Sequence, residues 1–199
     1  METNSQPSDP IGRARVDRLI DLAGSGASFD RIGQIETIFF ASSNVQQFAD
    51  DAERAVFRQR WLGRYLDHWP EHVFVVSTPD DRVIGYLAGC LEDPATHPVF
   101  ADIGYMPAFA DLSQSYPAHL HINLDPAWRS GGIGTRLIDA FCAHADGHRA
   151  PGVHVVTGRT SRNVRFYERN GFRMLRTTRS PWTDAEIAFL ARTLRAPGN

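Results

Sequence analysis

The sequence has little cysteine and no long apolar run. Its only two cysteines, Cys90 and Cys142, lie far apart and outside any CxxC or Cys/His ligand spacing. That pattern argues against a disulfide framework and a structural metal, so we expect two buried apolar residues. No apolar stretch approaches the roughly 18 residues of a membrane span, and the first ten residues are polar, unlike a signal peptide. We therefore expect a cytoplasmic protein without a membrane partner.

The sequence also lacks an excess of charge of one sign. Its 21 basic and 23 acidic residues give a net charge of −2, so overall electrostatics do not favour binding to nucleic acid. Hydrophobic residues make up 42% of the chain, which is enough to bury the core of one domain. No repeat of fixed period is present. We predict a disordered leader over residues 1–10 and a single domain over residues 11–199.

The hydrophobic patterns in the first half predict two helices and a hairpin. Apolar positions recur at helical spacing over 32–39, and a second helical stretch follows over 50–68. Two β-rich runs, 72–77 and 83–91, are separated by Thr78-Pro79-Asp80-Asp81, whose turn chemistry suits a hairpin. Residues 92–117 contain several prolines and aromatic residues and are too irregular for one regular element. A loop of that length in a compact domain is usually functional or mobile.

The second half predicts alternating strands and helices. The elements are a strand over 119–124, a helix over 132–146, a strand over 153–157, a helix over 163–170 and a strand over 172–178. This alternation implies parallel pairing at least locally, and hence an α/β fold. Thr183-Asp184-Ala185-Glu186 has the form of a capping box before an apolar-periodic run, which predicts a terminal helix over about 184–195.

A glycine-rich segment, residues 129–134 (RSGGIG), lies between a predicted strand and a predicted helix. Glycines leave the backbone amides open to a diphosphate, and a helix dipole, with charge from Arg129 and Arg136, would favour the same anion. A dinucleotide-binding GxGxxG motif is excluded because Leu137 occupies the third glycine position, and no GK[ST] of a P-loop follows. Taken alone, the segment is also compatible with a glycine turn that binds nothing.

A second motif follows at 163–172, where a short helix ends at Gly171 and a strand begins. With both motifs in order, the sequence resembles the GNAT superfamily of acyl-CoA-dependent N-acetyltransferases over roughly residues 72–178. The RxxGxG signature is met by Arg129, Gly132 and Gly134, and the second signature by Asn163, Tyr167, Gly171 and Phe172. More narrowly, the segment 116–122 is similar to the acetyltransferase-like domain of bifunctional O-GlcNAcases and to its free-standing bacterial relatives.

The resemblance implies a mixed sheet with an antiparallel N-terminal hairpin and locally parallel central strands, flanked by helices. It also implies acetyl-CoA as co-substrate, with no metal. Strand backbone at 122–124 would bond the pantetheine, and the amides of 130–135 would hold the diphosphate. The implied cofactor-binding residues are Ile122, Asn123, Leu124, Arg129, Ser130, Gly131, Gly132, Ile133, Gly134, Thr135, Asn163, Phe166, Tyr167 and Arg169. For Arg169, an exposed position without a phosphate contact is the alternative.

The resemblance places Tyr167 near the thioester sulfur. A phenol with a pKa of about 10 stays protonated at neutral pH and can donate to the leaving thiolate. The alternative is a core tyrosine packed beside Phe166. For the base, strand alternation puts His119, His121 and Asn123 on one face, and a histidine can accept a proton at physiological pH. We predict His121, then His119, as base or water-positioning residue; two satisfied polar histidines are the alternative, with Glu92 and Asp93 in reserve.

The predicted function is direct transfer of an acetyl group from acetyl-CoA to a primary amine. The 92–117 loop falls where acceptor-binding loops lie in this superfamily, and a loop covering the groove would favour a small-molecule amine over a protein. Its aromatic and acidic residues (Phe100, Asp102, Tyr105, Phe109 and Asp111) would line a pocket for a cationic amine, or simply pack over the sheet. The final strand of the superfamily is not predicted. A catalytically idle acyl-CoA-binding sensor or scaffold is the alternative function, and no oligomeric state is favoured.

Overall fold

A seven-stranded mixed sheet in the order β1-β2-β3-β4-β5-β7-β6 forms the centre of the structure, a computed structural model that describes residues 12–22 and 28–194. Neighbouring strands are antiparallel except β4 and β5, which are parallel. The strands are β1 Arg15–Arg18, β2 Val73–Ser77, β3 Val83–Cys90, β4 Ala118–Leu124, β5 Gly152–Gly158, β6 Arg173–Arg179 and β7 Glu186–Thr193. This arrangement confirms the predicted α/β fold and its hairpin, β2–β3. The predicted leader lies outside the described residues.

Six α-helices flank the sheet in the described ranges. They are α1 Ser28–Ser42, α2 Asp51–Arg58, α3 Arg64–His68, α4 Ala110–Ser113, α5 Ile133–Gly147 and α6 Arg162–Arg169. A π-helical turn, Gln59–Gly63, joins α2 directly to α3. The predicted helix over 50–68 is therefore continuous, with a wider helical turn over these five residues. Between residues 12 and 22 and between 28 and 194, no helix has both the length and the apolar character needed to cross a membrane.

The sheet separates two apolar layers. On one face α5 and α6 pack over Leu120, Val153 and Leu190. On the other face, α1 to α3 and the segment around Phe100 pack over Tyr86 and its neighbours. Both cysteines are buried with free thiols, Cys90 on β3 and Cys142 in α5, as predicted.

The parallel pair β4–β5 is very short. Only Ala118 with Val153 and His119 with His154 are in register. Beyond these positions the two strands diverge, while the opposite edge of β4 stays paired with β3 through Leu124. The divergence leaves one edge of β4 without a partner strand in the described structure, and it opens a cleft within the sheet.

The predicted terminal helix over 184–195 is wrong. Residues 186–193 form β7, which pairs with β5 on one edge and β6 on the other. Both faces of β7 are also covered, with Ala188 and Leu190 in one apolar cluster and Phe189 and Ala191 in another, so its middle residues read as a continuous apolar run. Such a run cannot be distinguished from a buried helix by periodicity alone. The capping-box residue Thr183 instead accepts a hydrogen bond from the Ala185 amide in the β6–β7 turn (3.3 Å), and the final strand of the superfamily is present.

The irregular segment 92–117 contains short helical turns, as its proline content indicated. Pro98–Phe100 and Met106–Phe109 are 3-10 turns, and the single-turn helix α4 follows. Each of the two 3-10 turns has a proline in its first two positions, where the missing amide costs no hydrogen bond. These turns lie over the face of the sheet that carries His119 and pack into its apolar layer.

Candidate active site

A cleft of about 340 Å³ opens where β4 and β5 diverge. It brings together residues predicted from both motifs: His121, Ile122 and Asn123 from β4, and Asn163 and Tyr167 from α6. Its other lining residues come from β4, β5, α1, the segment after α1, and the end of α2 with its π-helical turn: Leu120, Val156, Thr157, Phe39, Ser42, Ser43, Asn44, Val45, Phe57 and Trp61. The α1 and α2 contributions could not be predicted from the sequence, because those residues reach the cleft only through tertiary packing.

The glycine-rich segment forms an open turn before α5. Ser130 and Gly132 have positive φ angles of 71° and 78°, and Gly132 caps α5 without a side-chain hydrogen bond. The first amide bonded to the backbone is that of Arg136, which donates to the Gly132 carbonyl (3.1 Å). In the described structure the amides of residues 130–135 have no backbone acceptor. An N-terminus of this kind suits an anion.

Packing between α5 and α6 fixes the turn relative to the second motif. A Cβ at Gly134 would lie 3.0 Å from the Phe166 ring, so a glycine allows the two helices to approach this closely. Phe166 in turn contacts Tyr167, with ring centroids 5.3 Å apart. The two sequence motifs are therefore in direct contact, and Phe166 acts as a spacer between them. Gly171, at φ 82°, follows α6 as predicted for a helix terminus.

The two arginines predicted to add charge at the turn are engaged elsewhere. Arg129 donates from Nη2 and Nε to the Leu124 carbonyl (3.2 and 3.3 Å) and from Nη2 to the Ser42 hydroxyl (3.3 Å). Arg136 donates to the Ala14 carbonyl (2.5 Å), beside β1. Arg129 therefore joins the end of β4 to the end of α1, and Arg136 joins α5 to the residue before β1. Arg169 is exposed in the last turn of α6 and makes no ion pair within the described ranges.

Tyr167 is buried in α6, with 6% of its surface exposed at the cleft. Its ring contacts Phe166 and Phe172, so it belongs to the core and to the cleft at once. Burial raises the pKa of its phenol above the ordinary value, because the phenolate would lose its hydration. The hydroxyl therefore remains a proton donor across the neutral range.

His119 and His121 lie on one face of β4, as the alternation predicted. The His121 ring meets Trp61 and Tyr65 edge-on, at centroid distances of 5.5 and 5.4 Å. Burial, with a smaller effect of nearby positive charge, lowers the pKa of His121 to about 4. His121 is therefore neutral at pH 7 and able to accept a hydrogen bond at the cleft.

His119 lies deeper than His121 and is buried. Its Nδ1 is 3.3 Å from the Pro117 carbonyl, while Nε2 has no hydrogen-bond partner in the described structure. Burial and the neighbouring His154 lower the pKa of His119 well below its ordinary value. His154 stacks on His119 from β5, with ring centroids 5.5 Å apart, and was not predicted as part of the site.

Behind the cleft, on the His119 side of the sheet, lies a small chamber. It shares Trp61, Leu120, His121 and Val156 with the cleft. Its volume of about 20 Å³ is enough for roughly one water molecule. The remaining lining is mostly aromatic or apolar: Tyr65, Pro94, Phe100, Ile103, Tyr105, Met106, His119, His154 and Val155.

The predicted acidic lining of this pocket is not found. Asp102 accepts hydrogen bonds from Arg60 and Arg64 (2.8 and 2.9 Å), and Asp111 forms a two-bond pair with Arg176 (2.6 and 2.7 Å). Phe109 packs against Phe189 in a separate apolar cluster. Of the five predicted residues, only Phe100 and Tyr105 line the chamber, because the acids are used to attach the segment to its neighbours.

The reserve bases Glu92 and Asp93 also lie outside the lining of both cavities. Glu92 accepts a hydrogen bond from the Trp69 indole (3.3 Å) and is 3.4 Å from His97. Asp93 caps a turn by accepting from the Ala95 amide (2.9 Å). Both carboxylates are thus engaged in the structure of the 92–117 segment.

The family model described as an acetyltransferase (GNAT) domain matches residues 69–174, more than half of the chain. The chain belongs to the GNAT superfamily. The matched range holds β2 to β5, both motifs and the two strands whose divergence opens the cleft. The superfamily assignment from the two motifs is therefore confirmed, while the narrower likeness to the O-GlcNAcase-linked domains stays a prediction.

Solved structures of acetyltransferases share the fold of this GNAT chain. The structure of SsHAT is 20% identical with a TM-score of 0.67, covering 92% of this chain and 99% of that one. The NatC complex bound to Gag peptide and CoA contains a chain that is 14% identical with a TM-score of 0.61, at the same coverages. Chaetomium thermophilum Naa20, solved with a bisubstrate analogue, is 20% identical with a TM-score of 0.55, covering 90% and 85%. At these identities the likeness is one of fold.

Proposed function

We propose that this chain is an acetyl-CoA-dependent N-acetyltransferase that transfers acetyl directly to the primary amine of a small molecule. The observation that carries the proposal is the cleft between β4 and β5, where Tyr167 and His121 both line one cavity. The open amides of 130–135 belong to the turn that Phe166 couples to the Tyr167 helix. The superfamily supports acyl transfer, and the CoA named for the NatC neighbour supports CoA as the carrier.

The residues present fit a CoA thioester. The unpaired edge of β4 at residues 122–124 offers backbone groups to a pantetheine arm, although the Leu124 carbonyl is already occupied by Arg129. Asn163 lies on the opposite wall, and the open amides of 130–135 suit the diphosphate. The thioester, when bound, supplies the activated acetyl group. Arg169 is exposed on α6 and available to a CoA phosphate.

The proton transfers follow from the two side chains that line the cleft. The neutral His121 ring, directly or through a water, takes the proton that the ammonium must lose before its nitrogen can attack. As the C–N bond forms and the C–S bond breaks, Tyr167 donates its proton to the leaving thiolate. The second proton that the attacking nitrogen loses returns to the Tyr167 phenolate, directly or through water, so that one net proton, the one taken by His121, is released in each turnover. His119, which lines the chamber behind the cleft, is the second candidate for this role as base or water-positioning residue. The low pKa of His121 makes it a weak base, which favours a role shared with water.

The part of the 92–117 segment that covers the chamber, here called its roof, favours a small acceptor over an extended peptide. Phe100, Ile103, Tyr105 and Met106 line the chamber and leave it a volume of only about 20 Å³, which does not admit an extended peptide. The chamber has no acidic residue in its described lining, so it favours an amine whose other end is apolar over one with a second positive charge. Two fold neighbours, the NatC chain and Naa20, make a peptide panel the necessary comparison.

The test is release of free CoA from acetyl-CoA with a panel of amines, amino sugars and peptides, with mass detection of the acetylated product. Turnover of a small amine with an apolar substituent supports the proposal in full. Turnover restricted to peptides would retain the acetyltransferase and overturn the acceptor class. Tight CoA binding without any turnover across the panel would favour the idle acyl-CoA-binding module.

A further inference from the structure

The buried arginine Arg64, in the first turn of α3, lies outside both motifs and outside both cavity linings. It is 6% exposed, although an arginine is rarely buried without a specific partner. We propose that Arg64 is a positioning residue of the acetyl-transfer site, which anchors the roof of the chamber and places a permanent positive charge near His121. This inference rests on the proposed function for its catalytic meaning, but both parts have structural readouts of their own.

The anchoring contacts run from α3 to the roof segment, residues 98–106. Arg64 donates from Nη1 to the Val99 carbonyl (2.8 Å) and from Nη2 to the Asp102 carboxylate (2.9 Å). Its guanidinium also lies 5.3 Å from the centroid of the Phe100 ring. The Phe100 ring in turn meets the His119 ring edge-on, with ring centroids 4.7 Å apart. The contacts of Arg64 therefore extend through Phe100 to His119.

Arg60 provides a natural comparison on the same carboxylate. It also donates to Asp102 Oδ2 (2.8 Å), but its side chain is 30% exposed, compared with 7% for Arg64. Burial acts to raise the pKa of Asp102, yet hydrogen bonds from Arg64 and Arg60 outweigh it and hold that pKa below the ordinary value. Asp102 is thus an anion shared by two cations. Only Arg64 extends past it to the backbone of the roof.

The charge of Arg64 acts on His121 across the packed contact between α3 and β4. Tyr65, the next residue, packs its ring 5.4 Å from the His121 ring. Among the described residues, the titratable and charged groups around His121 are Arg64 and Tyr65 from α3, His119 on its own strand and His154 from β5, together with the phenols of Tyr105 and Tyr167, which line the two cavities with it. After burial, the positive charge of Arg64 is the next largest cause that lowers the pKa of His121. Burial already keeps His121 neutral at pH 7, so the charge of Arg64 extends the range in which its ring nitrogen is free for the acceptor amine toward lower pH.

Two substitutions separate the anchor from the charge. Arg64→Lys keeps the positive charge but loses the planar fork that reaches Val99 and Asp102 together. Arg64→Met removes both, and Arg64→Gln provides a polar neutral variant in case Arg64→Met does not fold. Arg60→Met is the matched control, since it removes a cation from the same carboxylate without being among the charges that act on His121. Thermal unfolding and CoA affinity establish that each variant is folded.

The charge is tested by NMR titration of the His121 ring, assigned with His121→Gln. A neutral residue at position 64 is expected to raise the His121 midpoint by about one pH unit, with no change in Arg64→Lys or Arg60→Met. The acid limb of kcat/KM for an accepted amine should move in the same direction. An unchanged midpoint in both neutral variants would overturn the role of the charge.

The anchor is tested by hydrogen exchange of the bonded roof amides of Phe100, Ala101, Ile103 and Met106. Exchange about tenfold faster in both Arg64→Lys and Arg64→Met than in Arg60→Met is expected, with a higher acceptor KM. Parental exchange in both would overturn the anchor. If no amine is turned over, the proposed function fails, while titration and exchange still decide whether Arg64 has the two structural effects.

Discussion

His72 Nδ1 lies 2.9 Å from His144 Nε2, which joins the start of β2 to the last turn of α5. One ring must donate and the other accept, so the contact requires at least one neutral imidazole. His148 completes the cluster, with its ring centroid 4.3 Å from that of His144. Burial and the neighbouring rings lower the pKa of His144 to about 4, and burial also lowers that of His72.

This cluster predicts a loss of stability in mild acid. Between pH 6.5, the ordinary value, and about 4, the unfolded chain binds a proton at His144 that the folded chain does not. The free energy of unfolding should therefore fall as the pH drops through that window and be fully retained above it. We expect His144→Gln to flatten this slope, measured by urea unfolding at several pH values. His68→Gln, an exposed histidine substitution, is the control, and equal slopes in both variants would refute the prediction.

Tyr167→Phe should lower kcat for an accepted amine by roughly 10²-fold, the usual contribution of a positioned general acid. The substitution removes only the hydroxyl, and the Phe166 and Phe172 contacts of the ring remain, so CoA affinity should stay at the parental value. Steady-state kinetics and calorimetric CoA binding provide the two measurements. Tyr116→Phe removes a hydroxyl outside both cavities as a control. Parental turnover by Tyr167→Phe would mean that this tyrosine is a core residue only.

Gly132→Ala should weaken CoA binding by about tenfold. A side chain at φ 78° costs roughly 1–2 kcal/mol, and relief of that strain would turn the amides before α5 away from the diphosphate. Space is not the obstacle, since nothing lies within 4 Å of the added Cβ. Gly147→Ala also meets nothing within 4 Å but lies inside α5, where alanine favours the helix. Similar CoA dissociation constants for the two variants would show that the turn does not bind the diphosphate.

The sequence predicts the central elements of this fold because their signals are local. The 119–124 strand, the helix after Gly132 and the helix that ends before Gly171 appear with boundaries one or two residues from those expected. β7 was missed because a strand that is buried on both faces loses its apolar–polar alternation. β1 was missed because its four residues, RVDR, contain a single apolar side chain.

The residues of the candidate site also divide into those that local sequence signals predict and those that depend on tertiary contacts. Asn163 and Tyr167 reach the cleft as the second motif implied, since eight-residue α6 follows directly from its Ser161 cap. Arg129 keeps its charge, but its guanidinium is bonded to the Leu124 carbonyl, a contact that spacing alone does not reveal. Trp61 lines both cavities only because the π-helical turn and the sheet meet there.

We predict that Trp182, in the β6–β7 turn, contributes to acceptor binding. It is 48% exposed, yet its ring meets Trp61 at 5.8 Å and Tyr105 at 5.6 Å, two residues of the chamber lining. Because Trp182 covers the outer side of these rings, Trp182→Ala should raise the acceptor KM several-fold and leave CoA affinity unchanged. Leu175→Ala, which shortens another exposed apolar residue in β6, is the control for a general surface effect. A parental KM in Trp182→Ala, or an equal rise in both variants, would show that the β6–β7 turn does not contribute to the acceptor site.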